Sequence, residues 1–400
     1  MEIKIKKQLF IYLLILFFFS IFHLNIKSSV GNDSTIAEWL INYTGGFTKR
    51  GIIGQISIFF SRLFSSELRD IIFYFQSTIT AVYYLLVFNF LKDIKFDRIF
   101  LLAIFTPIFL LYPVAEIEVL GRKELFLFII ILIYLAIPIN NKNLINIGKL
   151  TLLPLGILIY EPLIFLILFW IATDIIYNKF EKLDFNFIKN SFTYLPTILL
   201  AGYIAVNPLS NEEHAQMASI LKTEFNERCY TACHMLLTHS TILKNFQHNL
   251  DKYSFEVIIR YLLIIIIGFG PLFILLFNSN LKDKNLFFFK YFKNLLTPFL
   301  LILSPVIVWF AMAGDWGRFV NIIYVFSIIF FISLYKNNLI LLNKNKLKKN
   351  YINKFSKKTF IIIFIFFCFG WNPKTMLTGD IASFPGYRIP YKALKIMLIN

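Results

Sequence analysis

The chain has 400 residues, 58% of them hydrophobic and 18% aromatic, with a mean hydropathy of +0.69 and a formal net charge of +17. So apolar a composition excludes an ordinary soluble domain, and several runs reach the ~17–20 residues that cross a bilayer. No Walker loop and no Gly-rich dinucleotide fingerprint is present, three cysteines make no disulfide framework, and the cation excess is explained by membrane orientation rather than by nucleic acid. The predicted fold class is all-α: a polytopic transmembrane helical bundle forming a single integral membrane domain over 1–400.

The N-terminus, MEIKIKK followed by QLFIYLLILFFFSIFHL, reads as a first span with its basic end in the cytoplasm. A signal peptide is the less favoured reading, because the apolar run is long and no small-x-small cleavage site follows it. Eleven spans are expected near 8–26, 71–91, 99–112, 125–139, 149–160, 162–177, 191–207, 256–277, 295–312, 320–335 and 359–371. The stretch 149–177 is ambiguous, since one helix kinked at Glu161-Pro162 would serve as well as two. Two spans keep every lysine-rich connection on one side.

That topology can be tested against charge. The short cytoplasmic connections carry 23 of the 40 Lys and Arg residues, whereas the outer ones sit mostly in long loops and the C-terminal tail, where the inside-positive rule has little force. The arginines break the pattern. Of nine, only Arg98 falls inside, and Arg50, Arg62, Arg69, Arg122, Arg228, Arg260, Arg318 and Arg388 fall outside. In a lysine-biased chain, arginine marks places where a planar fork matters, as for phosphate or carboxylate.

Along the chain, the outer segments offer four charged clusters. The first outer loop, 27–70, holds GNDSTIAEWLINYTGGFTKRG with Asp33, Glu38, Lys49 and Arg50, and then an amphipathic interfacial helix bearing Arg62 and Arg69. YPVAEIEVLGRKE follows with Glu118 and Arg122. Tyr160-Glu161-Pro162 places a carboxylate at membrane depth, where an ionisable group is functional by default. AGDWGRF sets Asp315 and Arg318 around a tryptophan. Glu118–Arg122 and Asp315–Arg318 also have the spacing of plain helical pairs.

A larger outer loop, 208–255, contains ERCYTACHMLLTH. A Cys229–Cys233 disulfide in an oxidising periplasm is the favoured reading. A zinc site with His234, His239 or His248 is less favoured, and C-x-x-x-C-H departs from the usual haem-attachment spacing. No metal and no cofactor is expected. An outer C-terminal tail, 372–400, completes the chain.

Arginines at an outer membrane boundary suit an anionic, membrane-borne substrate such as a polyprenyl-(pyro)phosphate-linked sugar. The arginines would hold the phosphate, and a carboxylate (Glu38, Asp33, Glu161, Asp315 or Glu118) would act as general base.

WLINYTGGFTKRGIIG after the first span, GRKE at the head of a later one, Tyr-Glu-Pro within a span and GDWGRF near the end resemble a group of multi-spanning bacterial proteins with surface-polysaccharide functions. More broadly, the layout resembles O-antigen polymerases of the Wzy type and GT-C glycosyltransferases. The short motifs cover about 40 residues and the span layout most of the chain. The resemblance implies transfer or polymerisation of lipid-linked sugars at the periplasmic face of the bacterial inner membrane, with N-terminus inside and C-terminus outside. The implied partners are the lipid-linked glycan, the bilayer and other polysaccharide assembly proteins. A catalytic acid in the first outer loop would match Asp33 or Glu38, and phosphate-binding cations would match Lys49, Arg50, Arg122 and Arg318. A lipid-linked oligosaccharide flippase and a non-enzymatic assembly subunit are the alternatives.

Overall fold

The structure, a computed structural model, describes residues 5–30, 34–228, 231–237, 246–247, 249–250 and 252–377. Asp33, Cys229, His239, His248 and Arg388 therefore lie outside the described residues, as does nearly all of the C-terminal tail. The described residues are mostly helical, with one two-stranded antiparallel ladder among them, Ser279–Leu281 against Ile340–Leu342.

Among the described residues, five helices are long and apolar enough to cross a membrane: Lys6–Ser28, Leu68–Leu91, Lys142–Ile159, Phe255–Phe277 and Trp316–Lys336. A sixth is counted if the bent pair Phe185–Val206 and Asn211–Phe225 is one span. This is fewer than the eleven expected from apolar runs, and the reason is local. Proline and turn residues divide several runs into short helices, such as Arg98–Phe105 before Pro107, or Leu296–Ile302 and Val306–Met312 on either side of Pro305. Other runs form helices of only 13 residues, namely Glu124–Ala136 and Lys357–Phe369.

The chain divides into two compact units, one of Lys6–Lys92 and Glu118–Thr241, the other of Met1–Ile5, Asp93–Ile117 and Ile242–Asn400. In the first unit, Lys6–Ser28 packs along Leu68–Leu91, which packs on Glu124–Ala136, which packs on Lys142–Ile159. Lys142–Ile159 runs through Pro154 and stops where Tyr160 is extended. The tight 3-10 segment Glu161–Leu166 and the helix Ile167–Tyr177 follow. The backbone therefore breaks at the expected place, and the break carries Glu161.

In the second unit, the core is Trp316–Lys336, in which every residue from Gly317 to Leu334 is buried. Its polar side chains answer the break before Pro107. Asn321 donates to the carbonyls of Ile108 and Phe109 at 2.9 and 3.2 Å, and Tyr324 donates to that of Ala103 at 2.7 Å. Backbone carbonyls freed within an apolar interior need such donors.

Returning to the first unit, the helix Gly51–Phe64 buries Ile53, Gly54, Ser57, Ile58 and Ser61 and turns Ile56, Phe59, Leu63 and Phe64 outward. Its close seating depends on Gly54, since a Cβ there would stand 1.9 Å from the Ile41 carbonyl oxygen. Gly54→Ala must push the helix off residues 39–41, a cost of about 1–3 kcal/mol by analogy with overpacked cores. Gly202, mid-helix in Leu195–Val206 with nothing within 4 Å of an added Cβ, is the control. Thermal unfolding in detergent should show Gly54→Ala several degrees below wild type and Gly202→Ala at or above it; equal midpoints for the two variants would refute the seating.

Candidate functional site

The site of the first unit assembles on three backbone features. Glu38 opens the 3-10 turn Glu38–Leu40 and is buried. Arg122 and Lys123 follow Gly121, whose backbone is left-handed (φ 65°). The Gly121 carbonyl is fixed twice, by Trp39 Nε1 at 2.9 Å and Gln76 Nε2 at 3.1 Å. Arg50 caps the helix Gly51–Phe64 with a left-handed backbone of its own, φ 61° and ψ 10°. That conformation costs a non-glycine residue of order 1 kcal/mol or more and persists only where its surroundings impose it.

Those surroundings are visible. Arg50 lays its fork on Glu161, Nε to Oε2 at 2.7 Å and Nη2 to Oε1 at 2.9 Å, and its Nη1 reaches Glu38 Oε1 at 3.3 Å. Its guanidinium lies over the Tyr160 ring, 4.5 Å from the centroid. Its own carbonyl accepts from Lys123 Nζ at 2.5 Å. Arg122 donates to the same Glu38 carboxylate through Nε, at 3.2 Å, and through Nη2. Lys49 lies within electrostatic reach of Glu161 and Arg50.

Four basic side chains and two carboxylates thus share one cluster. It is closed around Glu38, Arg122 and Lys123 and partly open at Arg50 and Glu161, whose side chains are 18% and 23% exposed. The helix Gly51–Phe64 starts at this opening and adds the positive end of its dipole. An anion entering there would meet Arg50 first, and the bidentate geometry suits a carboxylate or a phosphate.

Burial and charge act against each other at Glu161, Arg50, Lys49 and Lys123. Burial alone would raise the Glu161 carboxyl, but Arg50 and Lys49 outweigh it and hold the group below its ordinary value. Burial would weaken the Arg50 cation, yet Glu161, Tyr160 and Glu38 hold its pKa above the usual arginine value. For Lys49 burial prevails, and its pKa falls. Burial also pushes the Lys123 ammonium down to about 7, with Arg50 adding to the fall and Glu38 opposing it.

The loop before Arg50 is held from outside the cluster. A Cβ at Gly45 would stand 1.9 Å from the Glu213 carbonyl oxygen, at the first turn of Asn211–Phe225. Arg62 pairs with Glu224 at 2.7 Å, and Arg69 is bidentate on Glu227 while donating to the carbonyls of Ser28 and Val30. These two arginines are clamps between segments. Cys233 is buried in the short helix Thr231–His234, which packs on Glu38–Leu40. Its expected disulfide partner, Cys229, is outside the described residues.

Of the residues expected from sequence, Glu38, Lys49, Arg50, Arg122 and Glu161 come together. Glu118 stays at the surface, and Arg122 touches only its backbone carbonyl, at 3.5 Å, so the Glu118–Arg122 pair yields to Glu38–Arg122. Asp315 and Arg318 belong to the other unit, where they pair at 2.7 Å as neighbours one turn apart. There, Glu116 pairs with Lys374 at 3.2 Å, Tyr261 donates to the Lys374 carbonyl at 3.1 Å, and Arg260 donates to the Leu377 carbonyl at 2.6 Å. No group of three potential metal ligands occurs among the described residues.

Sequence reading missed two things in the first unit. Lys123 stood in the quoted GRKE without a role. Asp174, inside the helix Ile167–Tyr177, pairs with Lys149 at 2.7 Å; both are buried. Tyr194 at 2.6 Å, the amide of Asn190 at 2.8 Å and Tyr134 at 3.4 Å also donate to the carboxylate. An ionisable residue in an apolar run is itself the signal that would have found Asp174.

No family model, curated protein or solved structure matches the chain.

Two outcomes follow from these networks. Because the folded pKa of Lys123 lies near 7 and the unfolded one near 10.5, the unfolded state binds more protons between those values. Raising the pH from 7 to 10 should then stabilise the fold, by at most about 1.4 kcal/mol per pH unit from this one group. The lowered Lys49 acts with the same sign. Thermal midpoints of wild type and Lys123→Met across that range should diverge, wild type rising more steeply; parallel curves would refute the buried amine. Asp174→Leu leaves Lys149 buried without its anion and should cost about 3–5 kcal/mol. The double change with Lys149→Met should recover most of that loss, and a double variant no better than the single would disprove the coupling.

Proposed function

We propose that this is a multi-pass protein of the bacterial inner membrane that transfers or polymerises polyprenyl-(pyro)phosphate-linked sugars at the periplasmic face. The observation that carries the reading is the partly open Arg50–Glu161 pair, backed by Lys49, Arg122 and the Lys123 amine, so that four basic side chains share the cluster with two carboxylates. Such an excess near the ends of apolar helices suits an anionic group delivered from the membrane. The finer topology goes with this reading: about eleven segments within the bilayer, the N-terminus inside and the C-terminus outside.

In the proposed reaction, the lipid-linked pyrophosphate engages Arg50 and draws its fork from Glu161. Freed of its partner, Glu161 regains basicity and takes the proton from the acceptor hydroxyl. The hydroxyl oxygen bonds to the anomeric carbon as the bond from that carbon to the pyrophosphate oxygen breaks. The electron pair leaves with the polyprenyl pyrophosphate, whose charge the arginines stabilise. Glu38 is the positioning residue that holds Arg50 and Arg122 together. The lipid carrier supplies an activated sugar, so the step needs no nucleotide or other cofactor.

The second reading, a lipid-linked oligosaccharide transporter, is favoured by one observation, the fully buried Lys149–Asp174 pair among apolar helices. Surface polysaccharide from a deletion strain, resolved on a gel, separates the two. Loss of long chains with a single repeat retained is the polymerase outcome, and a shortened repeat is the transferase outcome. Arg50→Lys and Arg122→Lys keep the charge but lose the bidentate fork, and each should reduce the product at least about tenfold, equivalent to roughly 1.4 kcal/mol. Normal polysaccharide in the deletion strain, or in both lysine variants, would reject the sugar-transfer reading.

A further inference from the structure

The second unit carries a surface that the proposed chemistry does not use. The helices Phe255–Phe277 and Trp316–Lys336 each lead directly into one strand of the small ladder, which pairs Ser279 with Leu342 and Leu281 with Ile340. Further bonds extend the pairing, from Lys282 N to the Leu339 carbonyl and from Asn343 N to the Asn278 carbonyl, each at 2.9 Å. The ladder therefore starts two segments from one place, 282–293 and 343–358. Together they hold eleven lysines and one acid, Asp283. All eleven lysine side chains are exposed.

This surface is shaped as well as charged. Tyr291, Tyr351 and Phe355 stand exposed among the lysines, at 73%, 78% and 41%. Lys290 lies over the Tyr291 ring and Lys354 over the Tyr351 ring, at 5.2 and 5.1 Å. Leu347 and Phe289 are buried beneath and seat their segments. The second segment is also pinned from below. Arg98 Nη1 donates to the carbonyls of Ile352 and Phe355, at 3.2 and 2.6 Å, and its guanidinium lies over the Phe360 ring at 4.9 Å. The arginine that departs from the outer bias is thus used to hold a lysine-rich segment in place.

We propose that this lysine platform binds the head groups of anionic phospholipids in the leaflet it faces. Eleven like charges brought together by a ladder repel one another unless anions collect over them. Juxtamembrane lysine clusters attract anionic lipid additively, and exposed aromatic rings between them settle at head-group level. An acidic soluble protein would satisfy the charge but would leave Tyr291, Tyr351 and Phe355 unexplained at the ends of apolar helices. The inference rests on residence in a membrane and not on sugar transfer.

Native mass spectrometry of the full-length protein, released from micelles containing phosphatidylglycerol or phosphatidylcholine, tests this directly. Wild type should retain phosphatidylglycerol at least tenfold more tightly than phosphatidylcholine, and the preference should fall as salt is raised. Lys344→Gln, Lys346→Gln, Lys348→Gln and Lys349→Gln combined should remove most of the preference. Lys179→Gln, Lys182→Gln and Lys189→Gln combined, in the other unit, should leave it intact. Equal retention of the two lipids by wild type, a preference unaffected by the first set, or equal loss with both sets would each overturn the proposal. If the first set fails to fold, the lipid preference of wild type and its salt dependence decide alone. Capture of an acidic protein without any preference for phosphatidylglycerol also overturns it.

Discussion

Charge drawn into an apolar helical protein has to find its counter-charge, because there is no water to solvate it. The Arg50–Glu161 fork is where that requirement acts most widely in this protein. It ties the left-handed turn at the head of Gly51–Phe64 to the break between Lys142–Ile159 and Ile167–Tyr177. Through Glu38 it extends to Arg122, and through the Arg50 carbonyl to Lys123. Four backbone irregularities are held by one set of charges: the Glu38 turn, the Arg50 cap, the Gly121 bend and the Tyr160 break. None of them would be stable alone in a low-dielectric setting.

The contrast with Lys149 and Asp174 is instructive. That pair is sealed, and its carboxylate takes bonds from an ammonium, two phenols and an amide. Buried pairs of this completeness are costly to break and contribute modestly to stability when intact. The Arg50 cluster differs on two counts, its surplus of basic side chains and its partial exposure. A satisfied network describes a clamp, whereas a surplus that reaches the surface would suit an anion. Asp315, the N-cap of Trp316–Lys336, and Arg318 pair with each other across one turn.

Much of this site was legible in the sequence because arginine was scarce. In a chain whose default cation is lysine, Arg50 and Arg122 stood out, as did Glu161 beside a proline within an apolar run. What could not be read was pairing across distance. Arg122 has Glu118 four residues away, the natural helical partner, yet the segment 117–119 is a 3-10 turn and the fork reaches Glu38, 84 positions earlier. Lys123 was hidden for a related reason, since its partner is a backbone carbonyl that has no signature in sequence. The helices were read less well than their apolarity suggested. Hydropathy registers a run but not the prolines that divide it, so Arg98–Phe105 and Glu124–Ala136 are far shorter than spans.

The two uses of positive charge in this protein follow from the chemistry of the two side chains. At Arg50 and Arg122, where both oxygens of one carboxylate are gripped at once, the planar fork of arginine fixes direction as well as charge, whereas the sealed Lys149 meets single oxygens of Asp174 and Asn190 and needs no fork. Where cations are exposed and need only density, lysine is used, as in the eleven that flank the ladder. Arg98 sits among lysines and obeys the first rule, since it grips two carbonyls and a ring. Lys123 is a buried lysine whose partner is the Arg50 carbonyl. A single carbonyl oxygen needs one donor and no fork, and an amine whose pKa falls to about 7 can supply it without a full buried charge. Residue choice at each position follows the number and arrangement of the oxygens it meets.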